Sequence, residues 1–205
     1  MRTKTGQFVA ALLVATALGA AACRHEPPDD TSYAGRITAE RADKDAAFRS
    51  QPDKPVPLAC MDQFLPLDYY PVDPAYNVPA VIKPSTRDEV LQVATSTGTI
   101  ENARRLGELQ FTLQGRPFTL TAFASEDASR MWVPFRDATN GTETYKAGRY
   151  LDITRNSTGV YELDFNWAYN PYCYFNVAYI CPIPPPENTL DIPIKAGEQA
   201  MKTCS

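Results

Sequence analysis

The chain has 205 residues, with 20 Lys and Arg against 24 Asp and Glu, a net charge of −4. That length suffices for one domain with a core of its own. The acidic balance argues against nucleic acid as a partner. The single histidine is His25, near the N-terminus, so a Ser-His-Asp triad, a Cys-His pair and a histidine-bearing zinc site are all excluded from the folded body.

The chain opens with Arg2 and Lys4, followed by an almost wholly apolar run from Phe8 to Leu18. Small residues come next, Gly19 to Ala22, and then Cys23. A basic start, a short apolar core and small residues before a cysteine form the pattern of a secretory signal processed for lipidation. Residues 1–22 are therefore expected to be a signal peptide and Cys23 a lipid-modified N-terminus. Ala20 stands where this pattern more often carries Leu, and ordinary cleavage near Ala22 is the alternative. The partner this implies is a membrane, reached through the anchor. Arg24 follows the cysteine, with no aspartate there to mark inner-membrane retention. The expected address is the cell envelope, on the periplasmic side of the outer membrane in a host with two membranes. Residues 23–36 are polar and read as the tether, and residues 37–205 as a single β-rich domain.

From Ile37 to Ser50 Ala and charged residues occur without Gly or Pro, which predicts a helix with a narrow apolar side of Ala42, Ala46 and Phe48. Three prolines between Gln51 and Pro57 end it. After an irregular aromatic stretch around Tyr69 and Tyr70, strand signals begin at Val78. Leu109, Phe111 and Leu113 alternate with polar residues, and after the turn at Gln114-Gly115-Arg116 the alternation resumes at Phe118, Leu120 and Ala122. This predicts a hairpin. The same period recurs at Met131, Val133 and Phe135, and again at Tyr161, Leu163, Phe165 and Trp167. The segment from Pro171 to Pro186 reads as a long Pro-rich loop, and Leu190, Ile192 and Ile194 as a last strand. The fold class this implies is mainly β: an antiparallel up-and-down barrel or sandwich with one N-terminal helix.

With Cys23 set aside, Cys60, Cys173, Cys181 and Cys204 remain, and an even number in an oxidising compartment suggests two disulfides with three pairings open. The favoured pairs are Cys173–Cys181, closing a short loop, and Cys60–Cys204, tying the chain end to an early segment.

Several residues could carry chemistry. Glu162 and Asp164, roughly 7 Å apart along a strand, could act as acid and base on a glycosidic bond; a solvated sheet face is the plainer reading. Asp137, Thr139, Asn140 and Glu143 offer oxygens at near-alternate positions, yet fit no EF-hand loop and are also ordinary turn chemistry. No metal and no cofactor are expected. Arg149 could grip an anion with its planar fork, or pair internally with Asp137 or Asp164. Asn166, Asn170 and Asn188, with Tyr145, Tyr150 and Tyr169, would suit a polar ligand such as a sugar or nucleoside, or else brace loops.

The runs PFRDATNGTETYKAGRYLD, LDFNWAYNPYCYFNVAYICPIPPPENTL and IKAGE, with the earlier KDAAFRS and YYPVDPAY, resemble the bacterial domain of unknown function 1684 family. The resemblance covers nearly all of the chain beyond the tether and implies no established activity. Cys60 and Cys204 look like additions of this member, which supports their pairing with each other. The leading expectation is a module that binds a small polar ligand through Asp137, Tyr145, Arg149, Tyr150, Asp164, Asn166, Asn170 and Asn188. The alternatives are a carboxylate-dependent hydrolase using Asp137, Glu162 or Asp164, and a structural envelope protein that meets a protein partner.

Overall fold

The computed structural model describes residues 30–50 and 55–204. The expected signal peptide and Cys23 lie outside the described residues. Six antiparallel strands, β1 (Asn77–Ala94), β2 (Ile100–Leu113), β3 (Arg116–Ala124), β4 (Arg130–Phe135), β5 (Arg149–Thr154) and β6 (Val160–Asp164), form one sheet in the order β5-β4-β3-β2-β1-β6. The first five make a meander, and β6 returns to pair with β1 from Asn77↔Asp164 to Val81↔Val160. The sheet curls into a nearly closed up-and-down barrel whose seam lies between β5 and β6. Of the two architectures expected, the barrel is the one formed.

The hairpin of β2 and β3 follows its alternation, with Phe111↔Phe118 and Leu109↔Leu120 as cross-strand partners. Its turn is only Gln114 and Gly115, both at positive φ (52° and 75°), the two-residue geometry that matches strand twist. Inward-facing side chains fill the barrel: Ala80, Leu109, Leu120, Phe135, Leu163 and Ile194 are each 0% exposed. The interior is thus a packed core, and any ligand must sit outside it.

The apolar face of β6 points inward, since Tyr161 and Leu163 are buried and Glu162 is exposed. The strand stops at Asp164 and does not continue to Trp167. Its carboxylate accepts the Asn166 amide at 2.9 Å, and Phe165–Trp167 turn as a short 3-10 helix. The expected final strand is also absent. Leu190, Ile192 and Ile194 are buried as their alternation implies, but the segment joins no ladder and makes single backbone bonds, such as Leu190 N–H to Arg136 O at 2.8 Å.

Helix α1 (Asp30–Ser50) begins earlier than expected, so residues 30–36 are not tether. The reason lies in its buried face. Tyr33, Ile37 and Phe48 are buried, with Arg41 and Lys44 half-buried between them, the spacing of one helical stripe. Ala42 and Ala46 are exposed. Below α1 a second cluster gathers Phe48, Phe64 and Phe175, with Phe64 at the end of α2 (Met61–Phe64) and Phe175 at the end of α3 (Tyr172–Phe175). The Cys60–Cys204 disulfide closes over this cluster.

Candidate functional site

Gly148 places Arg149. Its φ is +109°, and a Cβ there would lie 2.6 Å from Phe135 O and 2.7 Å from Pro184, so the close approach requires glycine. Arg149 then points inward. Its side chain and that of Asp137 are both 0% exposed, paired at 2.9 Å. The guanidinium also donates to Ile194 O at 2.8 Å, to Glu198 O at 3.2 Å and to Ala196 O. The other Asp137 oxygen accepts the Thr139 amide at 2.8 Å and the Thr139 hydroxyl. Arg149 therefore grips an internal carboxylate and three carbonyls, not a ligand, and the Asp137–Glu143 turn is braced from within.

The asparagines brace as well. Asn188, 0% exposed, accepts from Thr121 N and donates to Thr121 O and Pro134 O, at 2.7, 2.9 and 2.7 Å. Asn170 donates to Gln199 O at 2.8 Å. Asn166 accepts from Asp73 N at 3.0 Å and donates to Asp73 O at 2.8 Å. Asp164 takes the Tyr33 hydroxyl at 2.6 Å on one oxygen and Asn166 on the other, so neither oxygen is free for acid–base work. Burial and that bond together push the Tyr33 phenol well above its ordinary range. Tyr145 lies at a different wall, beside Cys173. The eight expected residues do not converge on one cavity.

Two of them, Asp164 and Asn166, hold α1 through Tyr33 and Arg41, and between α1 and the seam lies a cleft of about 590 Å³. Arg36, Glu40, Arg41 and Lys44 line it from α1, Arg130 and Asp152 from the β4/β5 side, and Trp167 from the turn after β6. Asn166 and Glu162 are on its wall. At its floor Glu198, whose side chain is 2% exposed, accepts from Lys44 and from the Asn170 amide at 2.8 Å. Arg41 stacks 4.4 Å from the Tyr69 ring centre and donates to Tyr70 O and Asn166 O. Burial lowers the pKa of Arg41, and its Nε is enclosed without an acceptor. Arg36 and Arg130 have no carboxylate within ion-pair distance among the described residues; the Arg130 guanidinium donates to the backbone Asp152 O at 3.2 Å.

A second chamber of about 430 Å³ adjoins the first, sharing Lys44, Asp152 and Tyr169 with it. Tyr150, Tyr172 and Tyr179 complete its aromatic lining. The loop that carries Tyr172 and Tyr179 is pinned by the tip of the β1/β2 ribbon, where Ser96 N–H bonds Cys181 O at 2.8 Å and Ile183 N–H bonds Ala94 O at 2.7 Å. Cys173 and Cys181 are brought together on this loop, but as buried thiols; the expected bond between them is not formed. The Cys173 amide donates to Cys181 Sγ at 3.1 Å. The hydrogen bond from the Cys181 thiol lowers Cys173 to about 7.

Of the cleft residues the sequence singled out Glu162, Asn166 and Tyr169, but not the charged ones from α1. Arg36, Arg41 and Lys44 sat in a tether or on a polar helix, and only the helical spacing from Tyr33 through Ile37 to Phe48 would have put them on the inner face.

Fold and cleft together define a small up-and-down barrel strapped by an N-terminal helix. The chain belongs to the family described as "Protein of unknown function (DUF1684)", which matches over residues 62–199. Both cysteines of the disulfide fall outside that range. The chain is similar to the uncharacterized protein from gene locus rrnAC0354 of Haloarcula marismortui, known from a solution NMR structure. The two are 33% identical with a TM-score of 0.66, covering 83% of this chain and 96% of that one. No curated protein matches the chain.

Proposed function

We propose that this chain is an exported, lipid-anchored envelope protein that binds a small polar ligand in the cleft between α1 and the barrel seam. The observation that carries the binding reading is the cleft itself: a mixed-charge cavity of about 590 Å³ in which Arg36 and Arg130 have no carboxylate partner among the described residues and Trp167 is on the wall. Concave sites with a few convergent polar groups and aromatic walls are where small ligands bind. The anion-gripping role expected of Arg149 passes to Arg36 and Arg130, whose guanidinium groups have donors to spare.

The export reading rests on the basic start, apolar run and small residues before Cys23. Between Cys23 and Asp30 the chain can reach no more than about 25 Å, so an anchored protein would carry its barrel close to the membrane. The periplasmic face of an outer membrane is the proposed location in a host with two membranes.

The test is a thermal-shift screen of the full-length protein with cell-wall sugars, nucleotides, small organic acids and divalent ions. A ligand of the native state raises apparent stability whatever its identity. The reading expects a saturable rise that the double variant Arg36→Ala/Arg130→Ala removes. A rise that persists unchanged in that variant contradicts the site, and a screen with no rise contradicts binding. For the anchor, Cys23→Ala should abolish detergent-dependent extraction; unchanged membrane partitioning would contradict lipidation.

A further inference from the structure

From the second chamber we infer a site for an organic ammonium ion, boxed by tyrosine rings and drawn by the Asp152 carboxylate. Four rings line this cavity of about 430 Å³: Tyr150, Tyr169, Tyr172 and Tyr179. They stand in two near-perpendicular pairs. Tyr150 and Tyr169 are 5.8 Å apart at 85°, and Tyr172 and Tyr179 are 5.3 Å apart at 72°. Perpendicular walls enclose a roughly spherical group from several sides, whereas a sugar stacks on a flat platform.

The hydroxyls sharpen the choice. Tyr150 OH is committed to Pro182 O, and Tyr169 OH donates to the Asp152 carboxylate at 3.0 Å. The inner wall therefore offers π faces and one carboxylate, with few donors left for a polyol. π faces of this kind attract cations through the ring quadrupole, and quaternary ammonium groups are the ligands such boxes take. One cation already uses the wall: Lys44 Nζ lies 5.2 Å from the Tyr169 ring centre. Lys44 is itself neutralised by Glu198, while Asp152 has no ion-pair partner among the described residues. The balance of charge at the chamber is thus set by Asp152, and it favours a cation.

The chamber shares Lys44, Asp152 and Tyr169 with the charged cleft, and Arg130 donates to Asp152 O at 3.2 Å, but neither Arg36 nor Arg130 lines it. The outer rings, half-buried Tyr179 and exposed Tyr172, belong to the surface loop, where side chains can be changed with little effect on the barrel. The experiment is a titration of the full-length protein with tetramethylammonium and choline, followed by NMR. The neutral isostere 3,3-dimethyl-1-butanol and glucose serve as comparisons. The proposal expects saturable shifts with both ammonium ions and at least about tenfold weaker binding of the isostere. Tyr179→Leu should weaken choline about tenfold, Tyr179→Phe should keep it, Asp152→Asn should weaken it, and Arg36→Ala, at a residue outside the chamber lining, should leave it unchanged. If Tyr179→Leu does not fold, Tyr172→Leu makes the same comparison. Equal binding of the isostere would make this a plain apolar pocket and overturn the proposal. Saturation by glucose alone, or by none of the four, overturns it too.

Discussion

Replacing Asp137 by alanine separates a structural arginine from a ligand-binding one. In the native fold Arg149 is 0% exposed and Asp137 is its sole carboxylate partner among the described residues, at 2.9 Å. Its remaining partners, Ile194 O, Ala196 O and Glu198 O, are neutral carbonyls. Removing one member of a buried pair costs about 3–5 kcal/mol, because the other charge stays buried without compensation. The Thr139 and Ile194 amides lose their acceptor at the same time, and a buried donor left unsatisfied adds about 1–3 kcal/mol. Against a typical domain stability of about 5–15 kcal/mol, Asp137→Ala should bring the protein close to unfolding. Asp137→Asn keeps the acceptor for Thr139 and should lose less. Urea denaturation reads both, the midpoint falling with little change in slope. A loss below about 1 kcal/mol for Asp137→Ala would refute the reasoning and return Arg149 to the list of ligand contacts.

Two other predictions follow from buried groups at the edges of the account. Burial raises the phenols of Tyr69, Tyr150 and Tyr169, and holds Tyr70 and Tyr174 at about 12. Unfolded phenols ionise near 10, so the native state keeps protons that the unfolded state sheds. Stability is then full below about pH 10 and falls as pH rises toward 12. Phenolate absorbance should lag the free-tyrosine curve and rise together with loss of the native circular dichroism; smooth titration near pH 10 with the fold intact would contradict this burial. The Cys60–Cys204 disulfide spans a sequence separation of 144, a loop whose closure entropy corresponds to about 5 kcal/mol. The Cys60→Ser/Cys204→Ser variant should therefore lose about 3–5 kcal/mol, and an unchanged melting temperature would show that the bond carries no such constraint.

What was legible in the sequence is what has a local cause. The β2/β3 hairpin declares itself through alternation and a Gln-Gly turn, and Leu109, Phe111, Leu113, Leu120 and Ala122 are buried there as the alternation implies. The Asp137 turn and the Asn188 brace were open to two readings, because a side chain that can hold a ligand can equally hold a backbone; their burial decides for bracing. The extent of α1 was hidden because two of the five positions on its inner stripe, Arg41 and Lys44, are charged. Their heads reach the cleft while their stems lie along the barrel, a division that a residue-level pattern cannot express. The end of β6 was missed because Phe165 continues the apolar alternation even though Asp164 has already capped a turn. The cleft as a whole could not be read, although Glu162 and Asn166 on its wall were named: Arg36, Arg130, Asp152 and Glu198 come from four separate segments, and only barrel closure brings them together.

The cleft between α1 and the seam is the centre of the account, and its most direct test is NMR chemical-shift mapping with a hit from the ligand screen. Saturable shifts are expected at Arg36, Arg130, Trp167 and their neighbours, lost in Arg36→Ala/Arg130→Ala while the fold is retained. Shifts confined to the opposite side of the barrel, around the β2/β3 hairpin, would contradict it.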